Sequence, residues 1–472
     1  MQTFYHRQRS SRMHVSILPV GELKGLASVP SSKPHMQRAL IFALLSEGDT
    51  EILFPSWSSE TKRLFEAAKQ FGLQVIEDGP ERLVVRGTGG LLKPSAKALM
   101  ADGSAFMFRT VAALASAVPG ETTIEGYKSI KNRPVLQHLT FINDLGGNWK
   151  DLSDLNSARI LINGKKDFGG ATIVDTAKTS QFLTALLLIA PLSPKGVSII
   201  TSGGLVGEGY VDLTLSMMKE RGIPVALDGN TYSVHPGLYK NIPITIPSDF
   251  TALSYLMAAV VARPGSELTV EHYRRSTMSS ETQFFEAFAK LGAVSDYDER
   301  AHRLHIRHTN PAEHEIEIDA KNIPTVVPSL CAAACLSAAD VTIRGAGHVN
   351  HHKCQRLLVM VEELRRLGCN VRPKFNHEGT MEGLIALGKS EPTGGVTLDS
   401  FRDHRVLGGL FAASLSAKEI TRITGAEYMD AGFPSFFDVM SILNVRTRNE
   451  EIDEGVIQRT SPRRAEDYYE TA

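Results

Sequence analysis

Residues Ser180 to Ala190 read SQFLTALLLIA. After two polar starters the run is too uniformly apolar for a helix with a solvent face, and too short to cross a bilayer. It is expected as a short buried helix. The same kind of segment recurs as MQRALIFALL from Met36, FMFRTVAALA from Phe106, ALSYLMAAVVA from Ala252, PSLCAAACLSA from Pro328 and RVLGGLFAASLSA from Arg405. The copies lie about 70 to about 77 residues apart, a period that marks a structural repeat.

An amphipathic helix is expected after each copy, with a glycine stop at Gly72, Gly146, Gly222, Gly292 and Gly368, where the residue past a helix end adopts positive φ. The sixth, FPSFFDVMSIL, lacks one. Short β-type runs such as TTIEGY, VSIITSG, ELTVEHY and VTIRGAG separate the helices. The pattern predicts an α/β chain of six repeated units, each with one buried and one half-buried helix. Six units exceed one compact core, so two lobes of three are expected, with helices inside, sheets outside and a break near Pro247 to Phe250.

The 472 residues carry 51 Lys and Arg against 52 Asp and Glu, a net charge of −1. This balance gives no global attraction to nucleic acid or an acidic membrane and favours a small ligand. Cys331, Cys335, Cys354 and Cys369 have neither metal-ligand spacing nor a disulfide framework, so a reducing, cytoplasmic setting is expected. No apolar stretch follows His6, Arg7, Arg9 and Arg12 as a signal would require. The charged, polar ends, 1–13 and 446–472, are expected as disordered tails.

Several segments, in order, resemble the enolpyruvyl transferase family of EPSP synthase (3-phosphoshikimate 1-carboxyvinyltransferase). VPSSKPHMQRALIFALLSEG places Lys33 and Arg38 where that family has a Lys and an Arg facing the active site. DGSAFMFRTVAALAS resembles its Gly-Thr turn into a buried helix, matched by Gly103 and Ser104, and IKNRPV its phosphate-clamping turn, matched by Arg133. AKTSQFLTALLLIAPL follows the family's S-S-Q-x-L-[ST]-A-L-L through Thr179, Ser180 and Gln181, the most specific match. Tyr210 in GYVDLT, Asp249 in SDFTALSY, Arg356 in HHKCQRL, and His404 with Arg405 in DHRVLGG complete the set, with GFPSFFDVM beyond.

The resemblance implies a two-lobed enolpyruvyl transferase fold, an inside-out α/β barrel. The first unit would be circularly split, giving one lobe of 14–32 plus 248–445 and another of 33–247. It implies that an alcohol adds to C2 of phosphoenolpyruvate after protonation at C3, and that phosphate then leaves. A substrate with a phosphate and a carboxylate on three carbons calls for fixed cations, and arginine's planar fork suits both groups. The anion set implied is Lys33, Gly103, Ser104, Arg133, Gln181, Arg356 and Arg405. The acceptor set is Arg38, Thr179, Ser180, Gln181 and Tyr210. Partners would be phosphoenolpyruvate and a small anionic acceptor, with no cofactor or metal, no nucleic acid and no membrane, and a monomer is expected.

The pattern also breaks. Thr325 replaces the family's Asp base after Ile-Pro, Lys353 replaces the Glu of K-E-x-D-R, and Ala431 replaces a Lys two before Phe-Pro. Pro34 and Gly207 replace serines that help hold the acceptor. Proton handling is therefore assigned to Lys33, His352, Lys353 and His404 around Thr325, with His348 and His351 as further candidates. On the residues alone, plain readings stand beside these: solvated loop histidines, a buried structural His404, and Thr179 and Ser180 as helix caps. The expectation is transfer to a shikimate-3-phosphate-like or other anionic acceptor in a specialised pathway. Elimination from a shikimate-like or phosphorylated substrate, and a non-catalytic binding paralogue, are the alternatives. The related UDP-N-acetylglucosamine enolpyruvyl transferases fit less well, since no Cys lies near Gly103.

Overall fold

A computed structural model of the chain describes residues 12–131 and 133–452. The six apolar segments form the helices Lys33–Leu45, Ala105–Ser116, Gln181–Ile189, Phe250–Ala262, Val327–Leu336 and His404–Ser414. Nearly every residue in them is buried. Since no face of such a helix can tolerate water, each must be enclosed by other elements, and burial of that apolar surface is the main stabilising term. Phe250–Ala262, Val327–Leu336 and His404–Ser414 pack against one another. Gly408 and Gly409 permit this close approach: a Cβ at Gly408 would meet the Tyr255 ring at 2.5 Å, and one at Gly409 the Pro328 carbonyl at 2.6 Å.

The amphipathic helices follow, at Ser59–Gln70, Thr140–Asp144, Glu208–Glu220, Ser279–Leu291, Arg356–Leu367 and Phe436–Ile442. The five stop glycines all adopt positive φ, from 82° at Gly222 to 118° at Gly72. Among the described residues six four-stranded sheets surround the helices, each with one parallel and two antiparallel pairings. Three sheets use only strands between Glu47 and Thr245. Of the others, two join Arg12–Ile17 and Lys24–Ala27 respectively to strands from Glu267 onward, and the third uses only strands between Glu315 and Ala386.

The strand Thr447–Ile452 pairs with Arg12–Ile17 along its length, Ile17 opposite Thr447 and Arg12 opposite Ile452. Both segments reach into the expected tails, so regular structure extends further at each end than the composition suggested. Thr447–Ile452 is an edge strand, with Arg448, Asn449 and Glu450 exposed. It therefore carries no hydrophobic alternation to read. The remainder of those tails lies outside the described residues.

The chain passes between the two sets of sheets twice. Ser31 and Ser248 form an antiparallel bridge, flanked by Ser32 N donating to the Pro247 carbonyl at 2.7 Å and Asp249 N to that of Pro30 at 2.9 Å. Among the described residues no helix is long and apolar enough to cross a membrane.

Candidate active site

One cavity of about 140 Å³ lies where the crossings bring the halves together. Among the described residues lining it are eight lysines and arginines and one carboxylate, Glu60. Every site residue expected from the sequence lines it except His404.

The arginines are fixed from behind. Arg356 Nε donates to Asp403 Oδ2 at 2.8 Å, and this pair is almost completely buried. Burial would raise the Asp403 pKa, but Arg356, Lys353 and Arg405 outweigh it and hold it near about 2. Arg133 Nη2 donates to the Gly103 carbonyl at 3.2 Å. Arg109 was not singled out from the sequence, although an arginine inside FMFRTVAALA needs a polar destination. Its guanidinium donates to Gln181 Oε1 at 2.6 Å and to the Pro134 carbonyl at 3.0 Å. Arg109 Nε, Arg133 Nε, Arg356 Nη1 and Arg405 Nε are buried without a hydrogen-bond partner. Four cationic donors without a partner thus belong to arginines that line one cavity, and leaving such groups bare in a dry interior is costly.

Two helix starts face the same space. Ser104 caps Ala105–Ser116, accepting from Met107 N. Gln181 begins Gln181–Ile189, and its N–H donates to Thr179 Oγ1 at 3.3 Å. Thr179 thus bonds to the backbone of the helix start, where Ser180 is the N-cap residue. Ser180 makes no side-chain cap bond, leaving its hydroxyl beside Gly207, where an added Cβ would sit 3.5 Å away. Gly207 adopts φ 65°, a conformation in which serine is strained.

Arg38 lines the cavity, but its guanidinium donates to Thr214 Oγ1, the Pro34 carbonyl and the Tyr210 carbonyl at 2.8–2.9 Å. Thr325 lies in a hydroxyl chain, 2.9 Å from both Tyr210 OH and Thr251 Oγ1. It has no carboxylate to serve as base.

Glu60 was missed in the sequence. Its Oε2 lies 2.9 Å from Lys33 Nζ and its Oε1 3.1 Å from Lys353 Nζ. Lys33 Nζ also donates to the Ala431 carbonyl at 3.0 Å. Burial would raise the Glu60 pKa, but Lys33 and Lys353 overcome it and keep the carboxyl below its ordinary range. Burial lowers the Lys33 pKa, with Glu60 opposing.

The proposed histidine carriers fare differently. His352, with His348 and His351, lines the cavity. Burial, then Arg356 and Arg405, hold its pKa well below the ordinary value. His404 is buried off the cavity, and a Cβ on Gly432 would lie 2.4 Å from its ring. Burial, then Lys33 and Arg405, hold its pKa well below the ordinary value. The histidine expected from the sequence to be catalytic thus does not line the cavity, although Arg405, the next residue of the helix His404–Ser414, does, and the Nδ1 of His404 is buried without a hydrogen-bond partner.

A family model of EPSP synthase (3-phosphoshikimate 1-carboxyvinyltransferase) matches residues 17–440. The chain is 29% identical over 451 residues to a 3-phosphoshikimate 1-carboxyvinyltransferase of Halorubrum lacusprofundi, covering 90% of this chain and 96% of that one. It is 26% identical to that of Methanosphaera stadtmanae, over 92% and 100%. Among solved structures, EPSP synthase from Acinetobacter baumannii superposes with a TM-score of 0.76 at 21% identity, over 93% of this chain and all of that one. The enolpyruvyl transferase NikO from Streptomyces tendae gives 0.70 at 14% identity, over 94% and 100%. At these identities the solved structures establish the two-lobed enolpyruvyl transferase fold.

Proposed function

The chain belongs to the EPSP synthase (3-phosphoshikimate 1-carboxyvinyltransferase) family, and from that premise we propose that it transfers the enolpyruvyl group of phosphoenolpyruvate to a hydroxyl of an anionic, shikimate-3-phosphate-like acceptor other than shikimate 3-phosphate itself. The observation that carries this is the set of four unpartnered arginine N–H groups on one cavity. Arg133 and Arg109 come from one half of the chain and Arg356 and Arg405 from the other. Phosphoenolpyruvate fits that cradle by charge and by its two forked anionic groups. We take the lobes to be 14–32 plus 248–445 and 33–247, closing around the substrate and excluding water, with one chain as the working unit.

The acceptor end supports a changed specificity. Pro34 has no N–H or hydroxyl, Gly207 has no side chain, and Thr325 replaces a carboxylate, while Ser180, Tyr210 and Lys178 remain on the wall. The deciding experiment measures phosphate release with and without phosphoenolpyruvate across shikimate-like and nucleotide acceptors. Release that needs both substrates is the expected result. Release without phosphoenolpyruvate would indicate elimination, and none with any acceptor would count against catalysis.

A further inference from the structure

Enolpyruvyl transfer needs a group that puts a proton on C3 of phosphoenolpyruvate and later removes one. The histidines that the sequence offered do not supply it. His404 is off the cavity, and burial, then the cations around it, disfavours protonation of His352. Thr325 lies within a chain of neutral hydroxyls. Glu60 is the one carboxylate among the described residues that line the cavity.

Its placement is built in. Glu60 stands in the first turn of Ser59–Gln70, and the reciprocal capping of Ser58 and Thr61 fixes how that helix begins. The side chain crosses to the other half of the chain, so its two oxygens take one ammonium from each side, Lys33 at 2.9 Å and Lys353 at 3.1 Å. Its charge is also felt by Arg133 and Arg405 of the anion cradle. A surface ion pair would have no reason to be here: the Glu60 and Lys33 side chains are 16% and 8% exposed, and burying three charged groups is costly unless they do chemistry or are tightly paired.

We propose that Glu60 is the carboxylate that exchanges the C3 proton, flanked by Lys33 and Lys353 as its proton donors and acceptors. In the addition, a proton passes from one of these ammoniums through Glu60 to C3. The double-bond pair takes it, and the acceptor oxygen bonds C2 as its hydroxyl proton passes to a phosphate oxygen of phosphoenolpyruvate. In the elimination, C3 returns the proton to Glu60 and the C–H pair restores the double bond. The C2–O bond to phosphate breaks, and the acceptor's hydroxyl proton ends on the departing phosphate. The triad finishes as it began. This rests on the enolpyruvyl transfer proposed above.

The test follows deuterium entering C3 of recovered phosphoenolpyruvate in D₂O with the most active acceptor, alongside phosphoenolpyruvate affinity by calorimetry. Glu60→Gln should bind phosphoenolpyruvate within a few-fold of wild type, yet lose turnover and deuterium entry by at least about 100-fold. Glu60→Asp should recover part of both, which a purely structural role in holding the two lysines would not require of the isotope exchange. Charge exchange gives a second check: Glu60→Lys with Lys353→Glu should exceed either single variant by about tenfold or more in turnover. Deuterium entry that survives Glu60→Gln overturns this role alone. A wild type that binds phosphoenolpyruvate but never exchanges or turns over overturns both this role and the transfer reaction.

Discussion

Asp249 holds Lys33 from a distance of 216 residues, its Oδ2 accepting from the Lys33 backbone N–H at 3.0 Å. The other oxygen, Oδ1, caps Phe250–Ala262 through Thr251 N at 2.8 Å and Ala252 N at 3.2 Å. One carboxylate thus ties both chain crossings and orients the helix that carries Lys33. Asp249→Ala should cost about 1–3 kcal/mol in urea unfolding, from a lost cap plus an orphaned N–H. It should also lower kcat more than Asp249→Asn, which keeps an acceptor. Equal stability of Asp249→Ala and wild type would remove the clamp.

The Arg356–Asp403 pair is a buried ion pair, and cutting one partner leaves the other charged and dry. Arg356→Ala should therefore destabilise the fold by about 3–5 kcal/mol. The double variant Arg356→Leu with Asp403→Leu should be less destabilised than the single. Thermal unfolding of the set decides this, and additive losses would contradict the coupling.

Shikimate 3-phosphate should be a poor acceptor. Each hydroxyl partner lost at Pro34 and Gly207 costs about 1–3 kcal/mol, roughly 10- to 100-fold in specificity. Breaking the hydroxyl chain by Thr325→Val should lower kcat/KM for the true acceptor about tenfold, with phosphoenolpyruvate affinity unchanged. Thr325→Asp with Lys353→Glu should not improve the native reaction, because it would set a second carboxylate against Glu60. Steady-state kinetics with both acceptors test these points, and a shikimate 3-phosphate efficiency equal to that of the best acceptor would refute the changed specificity.

The fold was legible because its six buried helices have no polar face, so apolar runs alone located them. Met36 and Phe106 fall within three residues of the observed starts at Lys33 and Ala105. Thr447–Ile452 was not legible, being a polar edge strand whose pairing is set by the backbone. At the site, Arg133, Arg356 and Arg405 were found through the motifs around them. Glu60 was hidden because SSETKRLF reads as the ordinary polar start of an amphipathic helix, and nothing local shows that its partners are Lys33 and Lys353. Arg109 left a signal, a lone guanidinium in an apolar helix, that went unused. His404 stays off the cavity that Arg405 lines because successive side chains at a helix start point about 100° apart.

Stability should also depend on pH through Glu281. This side chain is 1% exposed and accepts from Tyr273 OH at 2.6 Å and Ser276 N at 2.7 Å. Burial raises its pKa from 4.5 to about 7. The folded state then binds the proton more tightly than the unfolded state, so its contribution is full below about pH 4.5 and is lost as pH rises through about 7. Up to about 3 kcal/mol is at stake. Denaturation from pH 4 to 8 should show this decline in wild type and a flatter profile in Glu281→Gln. Matching profiles would rule out Glu281 as the source.

The central claim is that arginines from both halves of the chain hold phosphoenolpyruvate, and calorimetric titration of phosphoenolpyruvate into wild type, Arg133→Ala and Arg405→Ala tests it most directly. Losing one charge-assisted contact should weaken binding roughly 10- to 150-fold in each variant, with the fold intact by circular dichroism. Wild-type affinity in both variants would contradict the account.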